Sequence, residues 1–201
     1  MENNNLIYAR YCRVNSAVAI NDLDIYSKSG SAAIREGNSI FSLRNFLDRN
    51  NGELLNNYTQ LVDRTFLYLQ GNLGGTIPKG DINTILKENI VNLFKDISDK
   101  IEHGKLEEAL VVILELIKYG NRYYDINVTD KIIKADKAAC DYVILHCIHI
   151  VANIAVLLYP FLPFSLCKIF EALSLKLEWK PQYISENHLT EFKSLHTMKL
   201  I

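Results

Sequence analysis

Residues 41–78 read FSLRNFLDRNNGELLNNYTQLVDRTFLYLQGNLGGTIP, and this stretch decides the fold. Leu54, Leu55, Tyr58, Leu61, Val62, Thr65, Phe66 and Leu69 recur at helical spacing, so one face of a long helix is apolar. Gln60, Asp63 and Arg64 fall on the opposite face. Gln60 and Arg64 are four residues apart and therefore stack one above the other on the exposed side. The spacing predicts a helix over about residues 43–70, stopped by Gly71 and by the Gly74 and Gly75 pair.

The helical pattern continues beyond this stretch. Pro78, Lys79 and Gly80 make a turn. A second helix is expected over residues 82–102, with Ile85, Leu86, Ile90, Leu93, Phe94, Ile97 and Ile101 on one face and Gly104 as its stop. A third, over 105–124, turns Leu106, Ala109, Leu110, Ile113, Leu116 and Ile117 inward. A loop at 125–128 and a short turn at 129–134 lead to a fourth helix over 136–159, apolar nearly all round as a central bundle helix is. Pro160 and Pro163 break it, and a last helix covers 164–175. The expected fold is all-α, an antiparallel helical bundle over residues 41–176. Residues 1–40 form an N-terminal arm in which 14–25 alternates loosely and 27–31 is a Ser/Gly/Lys loop, and a short hairpin or irregular arm is expected there. Residues 177–201 form a polar tail lying across the bundle.

Composition bounds the function. The chain has 201 residues, 49% hydrophobic, enough for a real core. Its net charge of −1 gives no whole-molecule attraction for nucleic acid, so any RNA contact must come from a local patch. Cys12, Cys140, Cys147 and Cys167 show no CxxC spacing, which points to reduced thiols in a cytoplasmic protein. The first residues are acidic and Asn-rich, unlike a signal peptide. Residues 142–167 carry no Asp, Glu, Lys or Arg, yet His146, His149, Asn153, Pro160 and Pro163 interrupt them. A buried core helix is the better reading than a membrane span.

Few residues signal chemistry. His146 and His149 lie near Cys140 and Cys147, but His146 does not share the cysteines' face, so no metal site is expected. The chain has no GxSxG, GxGxxG or GxxxxGK[ST] motif, and no cofactor is expected. Basic residues do gather beside aromatics. Lys118 and Arg122 are four apart among Tyr119, Tyr123 and Tyr124, and Lys131, Lys134 and Lys137 follow. Such a patch can hold a backbone and stack loop bases. Equally, Tyr119 and Tyr123 can be core and the lysines a solvated face.

Three motifs resemble the anticodon-binding domain of methionyl-tRNA synthetases. The first is the stretch already quoted: Phe41-Ser42, then Glu53-Leu54-Leu55-Asn56-Asn57, then Val62-Asp63-Arg64, then Gly74-Gly75-Thr76-Ile77-Pro78. The second is Asn121-Arg122-Tyr123, similar to the family's Asn-x-Tyr segment that runs on to Pro-Trp. The third is Pro160-Phe161-Leu162-Pro163, similar to its Pro-Phe-x-Pro helix break. The detail of Asn50 to Asn57 leans toward the archaeal and eukaryotic branch. Ser27-Lys28-Ser29-Gly30 is also similar to part of the ATP loop of class I synthetases, but Ile25-Tyr26 departs from its usual Lys-Met, and a Ser/Lys/Gly turn accounts for it more simply.

The resemblance implies a helical bundle that unstacks the anticodon loop of tRNA. Arg64 matches the family's reading arginine, Gln60 falls at its reading asparagine, and Asn57 lies one turn earlier. Thr129-Asp130 falls where the family has Pro-Trp, so Asp130 offers no stacking face. The RNA-binding set to expect is Asn57, Gln60, Arg64, Lys118, Arg122, Asp130, Lys131 and Lys134. The family's catalytic domain, with its His-x-Gly-His motif, has no counterpart in these residues. The expected protein is a free-standing tRNA-binding module without ligase activity. The alternative is an assembly module that binds a synthetase or other protein and has lost anticodon reading.

Overall fold

A computed structural model of the chain describes the backbone of residues 33–36 and 39–184, and the side chains of residues 56–162, 166–167 and 169–184. The alternating stretch at 14–25, the loop at 27–31, Cys12 and the end of the tail lie outside the described residues. Two short strands, β1 (Ala33–Glu36) and β2 (Ser39–Ser42), pair antiparallel with Ala33 opposite Ser42. Phe41 and Ser42 therefore end a strand and do not begin the helix. Six helices follow: α1 (Leu43–Leu73), α2 (Thr84–Glu102), α3 (Leu106–Asn127), α4 (Asp130–Ala135), α5 (Lys137–Leu158) and α6 (Pro163–Ala172). The fold is an all-α bundle built on α1, α2, α3 and α5.

Polar links give the helix directions. The Tyr58 hydroxyl donates to the Val151 carbonyl at 3.0 Å, and the Tyr68 hydroxyl to the Asp141 carboxylate at 2.9 Å, so α1 and α5 are antiparallel. On α3, Asn121 meets Asn57 and Tyr124 meets Arg64, so α1 and α3 run the same way. Gly120 is where α1, α3 and α5 cross. A Cβ there would stand 2.7 Å from a methyl of Leu61 and 3.1 Å from a methyl of Ile150.

The expected inward faces are buried in large part. Tyr58, Leu61, Val62, Thr65, Phe66 and Leu69 of α1, and all six named residues of α3, are buried. Ile85 is not: it stands 66% exposed at the first turn of α2, turned away from the side on which Ile82 and Leu86 are buried. Helix α1 runs past Gly71 to Leu73. It ends where Gly74 and Gly75 take φ of +58° and +81°, and the Gly75 N–H closes on the Leu69 carbonyl at 2.9 Å. Helix α3 continues through the expected loop as far as Asn127, whose side chain bonds back to the Tyr123 carbonyl at 2.8 Å.

Helix α5 is long and apolar enough to cross a membrane, but 89% of that apolar window is buried inside the bundle. Its polar groups are satisfied within the fold. The Asn83 N–H donates to Nε2 of His146 at 3.0 Å and the Ile184 N–H to Nε2 of His149 at 3.2 Å. Asn153 donates to the Gln182 carbonyl at 2.9 Å and accepts from the Gln182 N–H at 2.8 Å. The segment around Gln182 is thereby strapped to α5. Trp179 fixes its other end on α2, with its indole N–H on the Ser98 hydroxyl at 2.7 Å and its ring edge-on to Phe94.

Candidate nucleic-acid interface

The seam between α1 and α3 is built around Arg64. One arm of its guanidinium pairs with the Asp125 carboxylate and the other donates to the Asn121 side-chain carbonyl. The cation lies over the Tyr124 ring, 4.7 Å from its centre, and the Tyr124 hydroxyl reaches back to the Arg64 carbonyl at 3.4 Å. Nε of Arg64 is buried without a hydrogen-bond partner. Arg64 thus differs from the expectation of a fully exposed side chain: it is 23% exposed and gripped from α3. The reason is spacing. Asn121, Tyr124 and Asp125 are three and four apart, so all three turn toward the same partner helix. That α3 spacing was legible in the sequence, but which helix it faced was not.

Asn121 joins the two helices twice over, since its amide also donates to the Asn57 carbonyl at 2.8 Å. Asn57 is half-buried and takes part through its backbone. Gln60, one turn before Arg64, is exposed. Lys118 and Arg122 lie on α3 beside the seam. Lys118 is half-buried and pairs with Glu115 at 3.6 Å, while Arg122 is exposed.

Asp130, Lys131 and Lys134 sit together on α4, all exposed. Thr129 caps that helix by accepting the Ile132 N–H at 3.3 Å, and Asp130 follows in its first turn, where a negative charge suits the helix dipole. Thr129-Asp130 therefore has a local structural role. Asn57 and Arg64 meet α3 at the seam through Asn121 and Asp125, while Gln60 stands one turn before Arg64, Lys118 and Arg122 lie on α3, and the α4 residues are on a separate short helix.

Tyr119 is 51% exposed, contrary to the core reading of that residue. Its ring stacks on Tyr123 with centres 6.0 Å apart and planes 14° apart. Tyr123 is half-buried, and burial pushes its hydroxyl pKa up to about 12. On the far side its ring meets His146 edge-on.

Burial lowers the pKa of both His146 and His149 and raises those of Cys140 and Cys147, the latter to about 12. Among the described residues no three His, Cys, Asp or Glu side chains gather as a metal site. The ring nitrogens that accept Asn83 and Ile184 are committed to the backbone.

These features define an all-α bundle with a polar seam between α1 and α3. The fold matches methionyl-tRNA synthetase of Mycobacterium tuberculosis bound to methionyl-adenylate, with a TM-score of 0.60 and 18% identity, over 78% of this chain and 34% of that one. The apo form of the same enzyme gives 0.59. In sequence, the chain is 36% identical over 156 residues to methionine–tRNA ligase of Bacillus mycoides (strain KBAB4), and 35% identical over 156 residues to methionine–tRNA ligase 1 of Bacillus cereus (strain ATCC 10987 / NRS 248). Each match takes in 77% of this chain and 29% of the relative. The chain is thus related to part of the methionyl-tRNA synthetases and spans about 29% of the length of these relatives. No protein-family profile matches it.

Proposed function

We propose that the chain is a tRNA-binding module that contacts an anticodon loop through the α1–α3 seam, acts in the cytoplasm and has no aminoacylation activity of its own. The observation that carries this reading is the Arg64 clasp. Asp125, Asn121 and Tyr124 hold the guanidinium at the seam, beside exposed Gln60, at the two positions that resemble the family's anticodon-reading pair. A planar cation oriented before binding gives up little side-chain entropy when it meets a base edge or a phosphate. Lys118 and Arg122 supply positive charge alongside.

The test is a fluorescence titration of the protein with a CAU-anticodon stem-loop, its bare stem and total tRNA. The expected result is preference for the stem-loop, with Arg64→Ala weakening binding at least tenfold. Equal binding by Arg64→Ala, or no binding by the wild type, sinks this reading.

A second reading rests on a different observation. A groove of about 500 Å3 between α2 and α3, walled by Leu86, Ile90, Leu93, Val111 and Val112, opens to the surface beside Tyr119. An apolar groove of this kind suits a protein partner, such as a synthetase. It predicts a stable protein complex that retains no RNA.

A further inference from the structure

The exposed face of α3 continues beyond the Arg64 clasp, and its far edge is aromatic. At about 100° per residue, Lys118 and Arg122 stand roughly 100° and 60° round the helix from Tyr119, on the same side. Asp125, which pairs with Arg64, lies a little further round on that side. One strip of surface therefore runs from the clasped guanidinium, across Lys118 with its Glu115 partner and Arg122, to a half-exposed tyrosine. Tyrosines exposed to this extent are usually held loosely, but Tyr119 is parallel to Tyr123, and Tyr123 is wedged against His146. Its orientation is therefore set before any ligand arrives. The ring stays half-exposed, and the groove between α2 and α3 lies beside it, with Asn89, Asn92 and Asp96 on the α2 wall.

We propose that Tyr119 is a stacking platform for one unpaired nucleobase, with the flanking phosphates held by Lys118 and Arg122 and the base edge turned toward the groove. This rests on the RNA-binding reading of the seam and names a further contact of that site. The chemistry selects single-stranded RNA. A base still paired in a helix has both faces covered, whereas a splayed loop base offers a face to the ring. The carboxamides of Asn89 and Asn92 can each donate to and accept from a base edge. Asp130 is a carboxylate and offers no ring, whereas Tyr119 is an exposed aromatic on the same helix as the two cations.

The experiment uses the whole chain and a stem-loop carrying 2-aminopurine at successive loop positions. The expected result is quenching at one position by the wild type. Tyr119→Ala should lose that quenching and about 5- to 100-fold of stem-loop affinity, while Tyr119→Trp keeps both. Binding to the bare stem should not change, and circular dichroism should match the wild type because the ring is half-exposed. Stem-loop binding by the wild type with no quenching at any position, or with Tyr119→Ala unaffected, overturns the platform while leaving the Arg64 seam standing. A wild type that binds no RNA overturns both. If Tyr119→Ala instead dissolves a complex with another protein and leaves RNA affinity unchanged, the tyrosine belongs to a docking groove and the platform is wrong.

Discussion

Arg64 shows how one residue can be both a structural and a recognition group. Its fork makes two polar contacts to α3 and one ring contact, so removing it exposes those partners to poor alternatives. Arg64→Ala is expected to cost about 1–2 kcal/mol of stability, from a charge-assisted hydrogen bond and a cation–π contact at a partly exposed site. Arg64→Lys separates charge from geometry, because an ammonium cannot span Asn121 and Asp125 together. A chemical denaturation midpoint lower than wild type for Arg64→Lys, with stem-loop affinity also reduced, would mean that the fork matters and not the charge alone. Wild-type behaviour in both would mean the clasp has no consequence.

The two buried histidines make a second residue-scale prediction. Both accept a backbone N–H at Nε2, and burial holds both below the ordinary value of 6.5, helped by a neighbouring group in each case: His149 beside His146, and Lys87 beside His149. Above about pH 6.5 the histidines are neutral in folded and unfolded chains alike, and this stability is fully present. As pH falls below 6.5 the unfolded chain takes up protons that the fold refuses, so stability declines until the folded values are reached. Thermal melts between pH 7.5 and 5 should show Tm falling. His149→Gln should flatten part of that slope, and an unchanged slope would remove His149 from the account.

At the scale of elements, the crossing of α1, α3 and α5 depends on Gly120. Alanine would gain up to about 1 kcal/mol of helix propensity there but would press on Leu61 and Ile150. Valine adds β-branched bulk at a point with no room, and overpacking of this kind costs about 1–3 kcal/mol. Gly120→Val is therefore expected to lower the urea midpoint, and to loosen the Asn121 and Asp125 grip on Arg64 from the adjoining turn. A Gly120→Val variant as stable as wild type would mean that the helices separate at little cost. The strap is the other element-scale device. Asn153 and His149 supply buried partners to Gln182 and Ile184, so a polar stripe on an otherwise apolar helix serves to pin a passing chain.

For the molecule as a whole, charge sets the style of binding. With a net charge of −1, the chain has no long-range pull on RNA, and only the few cations of one face can release counterions. The logarithm of stem-loop affinity is then expected to fall with the logarithm of salt at a slope of about −2 to −3, shallow for an RNA-binding protein. A slope twice as steep would point to further basic residues outside the seam.

Much of this was legible in the chain. Helical spacing on α1, the stops at Gly74 and Gly75, and the breaks at Pro160 and Pro163 follow from local chemistry: side-chain periodicity, left-handed glycines and the missing proline N–H. Such signals act within a few residues, so the sequence carries them openly. The start of α1 at Leu43 was legible, but the position of the hairpin at 33–42 was not, because four-residue strands leave too little alternation to read. The candidate site was visible as residue types, with Gln60 and Arg64 on one face and Lys118, Arg122 and tyrosines on another helix. Their relation was not visible. That Asn121 and Asp125 grip Arg64, that Tyr119 is open while Tyr123 is wedged against His146, and that His149 and Asn153 hold the strap all depend on pairs up to 64 residues apart. Periodicity told which side of each helix faced inward, but the partner it met there was fixed only by how the helices packed, through close approach at Gly120 and the burial of α5.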